Sequence, residues 1–165
     1  MSTISRDYAQ KLQTEIKAIS AFSGISSWIY LIEDNTDLDI NTLIANLKGD
    51  KKNGVVINEV EVEDMDLVAS GGYRLYECRA MIYPFFSSGE KMNYTTDRSI
   101  STFGTPKDGM SISTMTDAII TKLKNNNFSG WLTHSGNASV AESAYQIEQR
   151  GTYVQPIAHY GRRRE

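Results

Sequence analysis

The sequence is poor in the residues that cross-link or anchor secreted and membrane proteins. It has one cysteine, Cys78, so an internal disulfide and a cysteine-clustered zinc site are both excluded. No apolar run approaches the roughly 20 residues that cross a bilayer, and the polar first residues do not resemble a signal peptide. We therefore expect a protein that stays in the compartment where it is made and has no membrane partner.

Residues that commonly carry catalysis are also scarce. The chain has two histidines, His134 and His159, and neither lies beside a serine or cysteine nucleophile motif. The patterns GxSxG, HExxH and GxGxxG and the P-loop pattern do not occur. The sequence therefore predicts a protein that is not an enzyme and needs neither a cofactor nor a metal.

What remains is an ordinary globular composition. The 165 residues are 40% hydrophobic and 22% charged, which predicts one domain with one core over residues 1–165. The formal net charge of -3 gives no overall attraction to nucleic acid, so we expect no specific nucleic-acid binding.

Apolar residues spaced by three and four predict helices. The first spans residues 4–22 and ends before Gly24, a short second one is capped by Asp39 and closed by Gly49, and a third is capped by Ser113. The buried stripes are expected to be Ile4, Tyr8, Leu12, Ile16, Ile19 and Phe22 in the first helix, and Met115, Ile119 and Leu123 in the third.

Other segments have the patterns of strands. The unbroken apolar run at residues 28–32 predicts a central strand covered on both faces. Residues 55–65 and 73–86 alternate in polarity and predict an antiparallel hairpin, with Arg79 across from or diagonal to Glu59. A short strand is expected at residues 131–133 and a long one at 145–160, where Pro156 places the strand end at a sheet edge. These patterns predict an α+β fold, a mainly antiparallel sheet of about four to five strands flanked by two or three helices, with one long loop.

Carboxylates are concentrated in the first strand of the hairpin. Strict alternation puts Val56, Val60 and Val62 on one face and Glu59, Glu61 and Glu63 on the other. Side chains spaced by two along a strand stand about 7 Å apart and diverge, which suits a solvated face better than a metal site.

Two segments are candidates for partner binding. Residues 87–113 lack any period and form a loop that is unusually long for a compact domain, yet they include the apolar side chains of Tyr94, Phe103 and Met110. The basic group Arg162, Arg163 and Arg164 lies in a short tail at residues 161–165.

Tyrosine is abundant. The chain has nine tyrosines, several of them on predicted strands, as at Tyr73, Tyr76 and Tyr83. Tyrosine favours interfaces because one end of the side chain is apolar and the other forms hydrogen bonds.

The order of elements resembles that of the tail-terminator proteins of long-tailed bacteriophages, the small subunits that close the end of the tail tube. The resemblance rests on the helix at residues 4–22, the antiparallel pair at 55–65 and 73–86 ending in Tyr83-Pro84-Phe85, the helix at 115–123 and the closing strand at 145–160. The extra residues at 33–54 and the loop at 87–113 depart from the simplest members and suit a related neck or tail-completion group.

The resemblance implies a structural virion subunit, assembled in the host cytoplasm and located in the tail or neck. Its partners would be further copies of itself in a ring, a hexamer in this family, together with the tail tube protein, the head connector or neck proteins and, in a contractile tail, the sheath. Glu59, Glu61 and Glu63 would then face solvent or the ring lumen. The alternatives are another neck or baseplate protein, or a small ligand-binding or peptide-binding module that uses residues 87–113 as a lid.

Overall fold

The structure, a computed structural model, describes residues 3–23, 29–31, 41, 53–69, 73–87, 112–124, 137–147 and 152–164. These residues form two helices and a seven-stranded, mostly antiparallel sheet, which confirms the predicted α+β class. The helices are α1 (Thr3–Lys17) and α2 (Ile112–Leu123). The strands are β1 (Ile29–Leu31), β2 (Asn53–Ala69), β3 (Tyr73–Ser87), β4 (Asn137–Val140), β5 (Tyr145–Ile147), β6 (Thr152–Val154) and β7 (Ile157–Arg164).

The predicted hairpin of β2 and β3 is confirmed and forms the middle of the sheet. On the far side of β3, the strands β6 and β7 pair with it one after the other. Outside them lie β5, which pairs with β6, and β4, which pairs with β7. β1 pairs in parallel with β2 at the end of the strand order among the described residues, so the prediction that this segment forms a central strand is wrong.

The expected long strand at residues 145–160 is divided into three. β5 turns back on β6 as an antiparallel pair, and β6 is separated from β7 only by Gln155 and Pro156. The register with β3 is the same on both sides of this break, since Phe85 faces Val154 and Ile82 faces Ile157. Pro156 therefore interrupts a ladder in the interior of the sheet and does not mark an edge. It is tolerated because it lies in the break, where no ladder donor is required.

Two register shifts divide β2. One lies between Asn58 and Glu61 and the other between Asp64 and Val68. At the first shift β2 gains one residue relative to β3, so Val56 lies opposite Tyr83 whereas Val62 lies opposite Cys78. The predicted common face for Val56 and Val62 is wrong, because one inserted residue reverses the alternation.

One face of the sheet carries both helices and most of the core. Alternate residues of β2, β3 and β7 pack there with the apolar stripes of α1 and α2. The inward positions predicted for α2, Met115, Ile119 and Leu123, are confirmed and fully buried. Beyond Lys17 the backbone forms hydrogen bonds between residues three apart, with Ile19 N donating to Ile16 O at 3.1 Å and Phe22 N to Ile19 O at 2.9 Å. The apolar stripe of α1 therefore continues past the end of the helix.

Some predictions are corrected by the structure, and others concern residues outside the described part of the chain. Residues 161–164, expected as a tail, form the end of β7 and pair with β3 from Cys78 to Leu75. The Ser113 cap is displaced, because α2 already includes Ile112. The strand at 131–133, most of the short helix between Asp39 and Gly49, and residues 88–111 of the long loop lie outside the described residues.

Candidate interaction surface

The second face of the sheet carries an apolar cluster that contains no residue of α1 or α2. Two cross-strand rows build it. One row runs from Tyr30 through Val56 to Tyr83, and the other joins Phe85 to Val154 and Tyr145. Side chains directly opposite each other on neighbouring strands share a face, so the pairing itself assembles the cluster.

The cluster has a buried centre and a tyrosine border. Val56, Phe85 and Val154 are fully buried, whereas Tyr30, Tyr83 and Tyr145 are only partly buried against them. The hydroxyl of Tyr145 donates to Asn41 Oδ1 at 2.8 Å. The tyrosines thus shield the buried apolar side chains and keep polar groups towards the surface.

Further along the same face the surface becomes charged. Arg79 and Tyr160 lie opposite each other on β3 and β7, with the guanidinium carbon 5.8 Å from the centre of the tyrosine ring. Arg79 Nε also donates to Glu77 Oε1 at 3.0 Å. Tyr160 is 38% exposed, which is high for a large side chain on a strand that has neighbours on both sides. We call the surface formed by Tyr30, Tyr83, Tyr145, Arg79, Met81 and Tyr160 the tyrosine face.

Hydrogen bonds at the break between β6 and β7 fix the backbone at one side of the tyrosine face. Gln155 N donates to Pro84 O at 3.1 Å, and its side-chain amide donates to Glu142 O at 2.7 Å and Pro156 O at 3.0 Å. Ala141 N completes the group by donating to Pro156 O at 3.1 Å. These bonds hold the segment that follows β4 beside the two prolines, where the strand ladder lacks donors.

The same segment affects Tyr83. Burial, and secondarily the nearby Glu142 carboxylate, raise the pKa of the Tyr83 hydroxyl above its ordinary value. Tyr83 therefore stays protonated at neutral pH and can donate a hydrogen bond at the border of the cluster.

The described histidine lies inside the core and not on this surface. The Tyr8 hydroxyl forms a hydrogen bond with His159 Nδ1 and donates to His159 O at 3.2 Å, and the two rings stack with centroids 5.6 Å apart. A hydroxyl has one proton, so both contacts are satisfied together when Nδ1 carries the hydrogen and donates to Tyr8. Ala80 and Ala138, which flank His159 on β3 and β4, leave room for the imidazole.

Burial sets the charge of this pair. It lowers the pKa of His159 to about 3 and raises the pKa of Tyr8 well above its ordinary value. Both groups are neutral at pH 7, and both side chains are fully buried. The pair joins α1 to β7 inside the core, where a substrate cannot reach it.

A groove of about 750 Å³ lies on the helix layer, between the end of α1 and α2. Small side chains such as Ala18, Ala21 and Ala118 line it, together with Asp117 and Lys122. Sites for small molecules are usually lined by apolar and aromatic side chains around a few polar groups, and the described residues that line this groove include no aromatic one. The tyrosine face is the stronger candidate for a functional surface.

Comparison with protein-family models, with curated proteins and with solved structures found no match for this chain.

Among the described residues, no three histidine, cysteine or acidic side chains are grouped so that they could hold a metal ion. Neither α1 nor α2 has the length and apolar character needed to cross a membrane.

The residues predicted to bind partners are only partly placed. Tyr94, Phe103, Met110 and His134 lie outside the described residues. Arg162 lies opposite Glu77 in the ladder, followed by Arg163 opposite Tyr76 and Arg164 opposite Leu75.

In the carboxylate row, Glu61 pairs with Arg79 and Glu63 with Glu77, while Glu59 falls in the first register shift. Glu61 therefore lies directly opposite Arg79, two residues along the strand from Glu59, which was predicted to lie across from or diagonal to Arg79. The sequence alone does not place Arg79 and Tyr160 on a common surface, because their contact depends on the register between β3 and β7.

Proposed function

We propose that this chain is a structural subunit that acts by assembling with other proteins, and that it caps the tube of a phage tail as a ring. The observation that carries the proposal is the tyrosine face, a sheet surface whose apolar cluster includes no residue of α1 or α2 and which places Arg79 over the ring of Tyr160.

The composition of this face suits protein contact better than solvent alone. Tyrosine, arginine and methionine are enriched at protein interfaces, where aromatic side chains supply contact area and arginine supplies directed hydrogen bonds. Here the three types alternate along one strand, β3, as Arg79, Met81 and Tyr83. A strand within a sheet holds them in fixed relative positions without the entropy cost of ordering a loop.

The reactive groups of the described residues support the same class of function. Of the side chains most often used in acid–base or nucleophilic catalysis, His159 and Cys78 are fully buried. Catalysis requires such a group to lie within hydrogen-bonding reach of a substrate.

The proposed assembly follows from the resemblance to tail terminators. A ring, hexameric in that family, would sit on the last ring of tube subunits and present a surface to the head connector or neck proteins, with a sheath contact if the tail contracts. Glu59, Glu61 and Glu63 would face solvent or the lumen, where negative charge keeps passing DNA from sticking.

Self-association and tube binding test the proposal directly. We expect the wild-type protein to be a monomer or weak oligomer that forms rings at high concentration or on tube ends, as seen by sedimentation velocity and electron microscopy. Met81→Asp with Tyr160→Asp should abolish binding to tail tubes, because both changes place charge in a contact that excludes water. Lys124→Asp, a charge reversal at an exposed position just after α2, should leave tube binding intact. A wild-type protein that stays monomeric at every concentration and ignores tail tubes would contradict the proposal.

Residues 87–113 provide a second test. We expect this loop, with Tyr94, Phe103 and Met110, to be cut by proteases in the free subunit and protected after assembly. Replacing it by a short Gly-Ser turn should weaken assembly and change stability little, since halving a flexible loop alters its closure by only about 0.6 kcal/mol. Normal assembly of the shortened protein would favour the lid of a ligand-binding module instead.

A further inference from the structure

The far half of the sheet is a three-stranded region with oppositely charged sides. There β3 lies between the second half of β2 and the end of β7. β2 carries five carboxylates, Glu59, Glu61, Glu63, Asp64 and Asp66, and no basic residue. β7 ends in Arg162, Arg163 and Arg164 and carries no acidic residue.

Among the described strands, both sides of this region lack a neighbour. β1 pairs with β2 only from Val55 to Ile57, and β4 pairs with β7 only from Ile157 to Tyr160. Over residues 58–69 of β2 and 161–164 of β7, the described part of the chain contains no further strand. A strand edge of this kind is a template for pairing with another chain.

We propose that the β7 edge of one copy pairs with the β2 edge of the next copy, so that subunits join head to tail into one continuous sheet. The inference rests on the proposed function, in which copies of this chain form a ring, and it assigns the two surfaces that meet.

Charge selects this contact over the symmetric ones. Pairing β2 with β2 would bring two sets of five carboxylates together, and pairing β7 with β7 would bring two arginine triplets together. Like charges across an interface disfavour both arrangements. The remaining contact joins unlike edges, and repeated contacts of that kind produce closed rings or open filaments and not simple dimers.

Strand direction is compatible with the contact. β2 and β7 are both antiparallel to β3, so they run the same way and subunits related by rotation would pair in parallel. The open part of β7 is four residues long, or about 13 Å at about 3.3 Å per residue. A contact this short is weak alone, in line with assembly at high concentration or on a tube end.

Charge reversal with complementation tests the pairing. Variant A carries Glu59→Lys, Glu63→Lys, Asp64→Lys and Asp66→Lys, which makes the β2 side net positive and spares Glu61 because its ladder partner is Arg79. Variant B carries Arg163→Glu and Arg164→Glu, which spares Arg162 because its ladder partner is Glu77. A matched control carries Asp117→Lys and Lys124→Glu, two exposed positions of which one lies on α2 and the other just after it.

We expect A alone and B alone to lose the ring species, because the two edges of each variant have the same net sign. An equal mixture of A and B should recover rings in which the variants alternate, and a single chain carrying all six changes should assemble with itself. The control should assemble like wild type, and added salt should weaken wild-type association through charge screening. Circular dichroism and thermal unfolding check that each variant folds.

The outcomes separate the two proposals. Rings from A alone and B alone, or folded variants whose mixture recovers nothing, would overturn the edge pairing while leaving a ring-forming function in place. A wild-type protein that never associates would overturn both.

Discussion

The two faces of this sheet are built from alternate residues of the same strands, yet they differ in what they stabilise. Ile82 belongs to the helix-covered face and is fully buried, whereas its neighbour Met81 lies on the tyrosine face and is only partly buried. The first face is closed by two helices and fixes the fold. The tyrosine face has partly buried tyrosines at its border and an arginine over an aromatic ring, so polar groups remain at its surface. Complete burial under the helices specifies the structure, and burial bordered by partly exposed polar groups leaves a surface that can still bind.

The sharpest test of this comparison replaces the adjacent residues Ile82 and Met81. Ile82→Ala should lower the free energy of unfolding by about 2 to 5 kcal/mol, because it leaves a cavity between sheet and helices. Met81→Ala should cost less than about 1 kcal/mol, since its side chain is only partly buried. Urea denaturation of both variants measures the difference, and equal losses would mean that the two faces do not differ in this way.

Acid should destabilise the helix-covered face through His159. The pKa of His159 is lowered to about 3 in the folded protein, below the value of about 6.5 expected when unfolded, so protons bind the unfolded chain more readily. The stabilising contribution is complete above pH 6.5 and is lost as the pH falls towards 3, with a slope approaching about 1.4 kcal/mol per pH unit.

The control for this effect is His159→Gln, which removes the titrating group and keeps a polar side chain. Denaturation curves between pH 7 and pH 4 should converge for the two proteins as the wild type loses its contribution. Parallel curves would show that His159 is not the group responsible.

Removing the hydroxyl that binds His159 tests the same face by a smaller change. Tyr8→Phe should cost about 1 to 3 kcal/mol, because the buried imidazole loses its partner at Nδ1. Tyr30→Phe, at a partly buried position of the tyrosine face, provides the comparison and should change stability by less than about 0.5 kcal/mol. If Tyr8→Phe is as mild, the Tyr8–His159 bond contributes nothing measurable to the fold.

The smallest expected effect is on the tyrosine face. Arg79→Met keeps an apolar stem and removes both the contact with Tyr160 and the ion pair with Glu77. A cation over an exposed ring and a partly exposed ion pair are each worth about 1 kcal/mol or less, so the loss of stability should be small. Binding to tail tubes should weaken more than stability does, which thermal unfolding of the variant and its co-sedimentation with tubes would show. A large loss of stability would instead assign Arg79 a role in the fold.

Local patterns predicted much of the architecture. The inward residues of α2, the stripe of α1 and the β2–β3 hairpin follow from periods of 3.6 and two, which depend only on neighbouring positions. The bulge between Asn58 and Glu61 was missed because no glycine or proline marks it. Pro156 was misread as an edge signal, since nothing near it in sequence indicates that β6 and β7 continue along β3 in one register.

The candidate surface was less accessible to prediction than the fold. Abundant tyrosine indicated an interface, but the rows that join Tyr30 to Tyr83 and Arg79 to Tyr160 depend on pairing between distant strands. Tyr8 and His159 are 151 residues apart, and no local pattern connects them. A single sequence therefore predicts where helices and strands form, but not which side chains of distant elements contact each other.

The interior position of β7 has a consequence for how the chain folds. This strand, the last one described, inserts between β3 and β4 and brings the histidine that binds Tyr8 of the first helix. Contacts of such long sequence separation slow folding, because the chain must close a large loop before they form. Before β7 pairs with β3, strand β4 has no connection to β3 through the sheet, and Tyr8 of α1 has no hydrogen bond to His159. Folding should therefore be completed by the insertion of β7, and a nascent chain still missing that strand would expose β3 to aggregation.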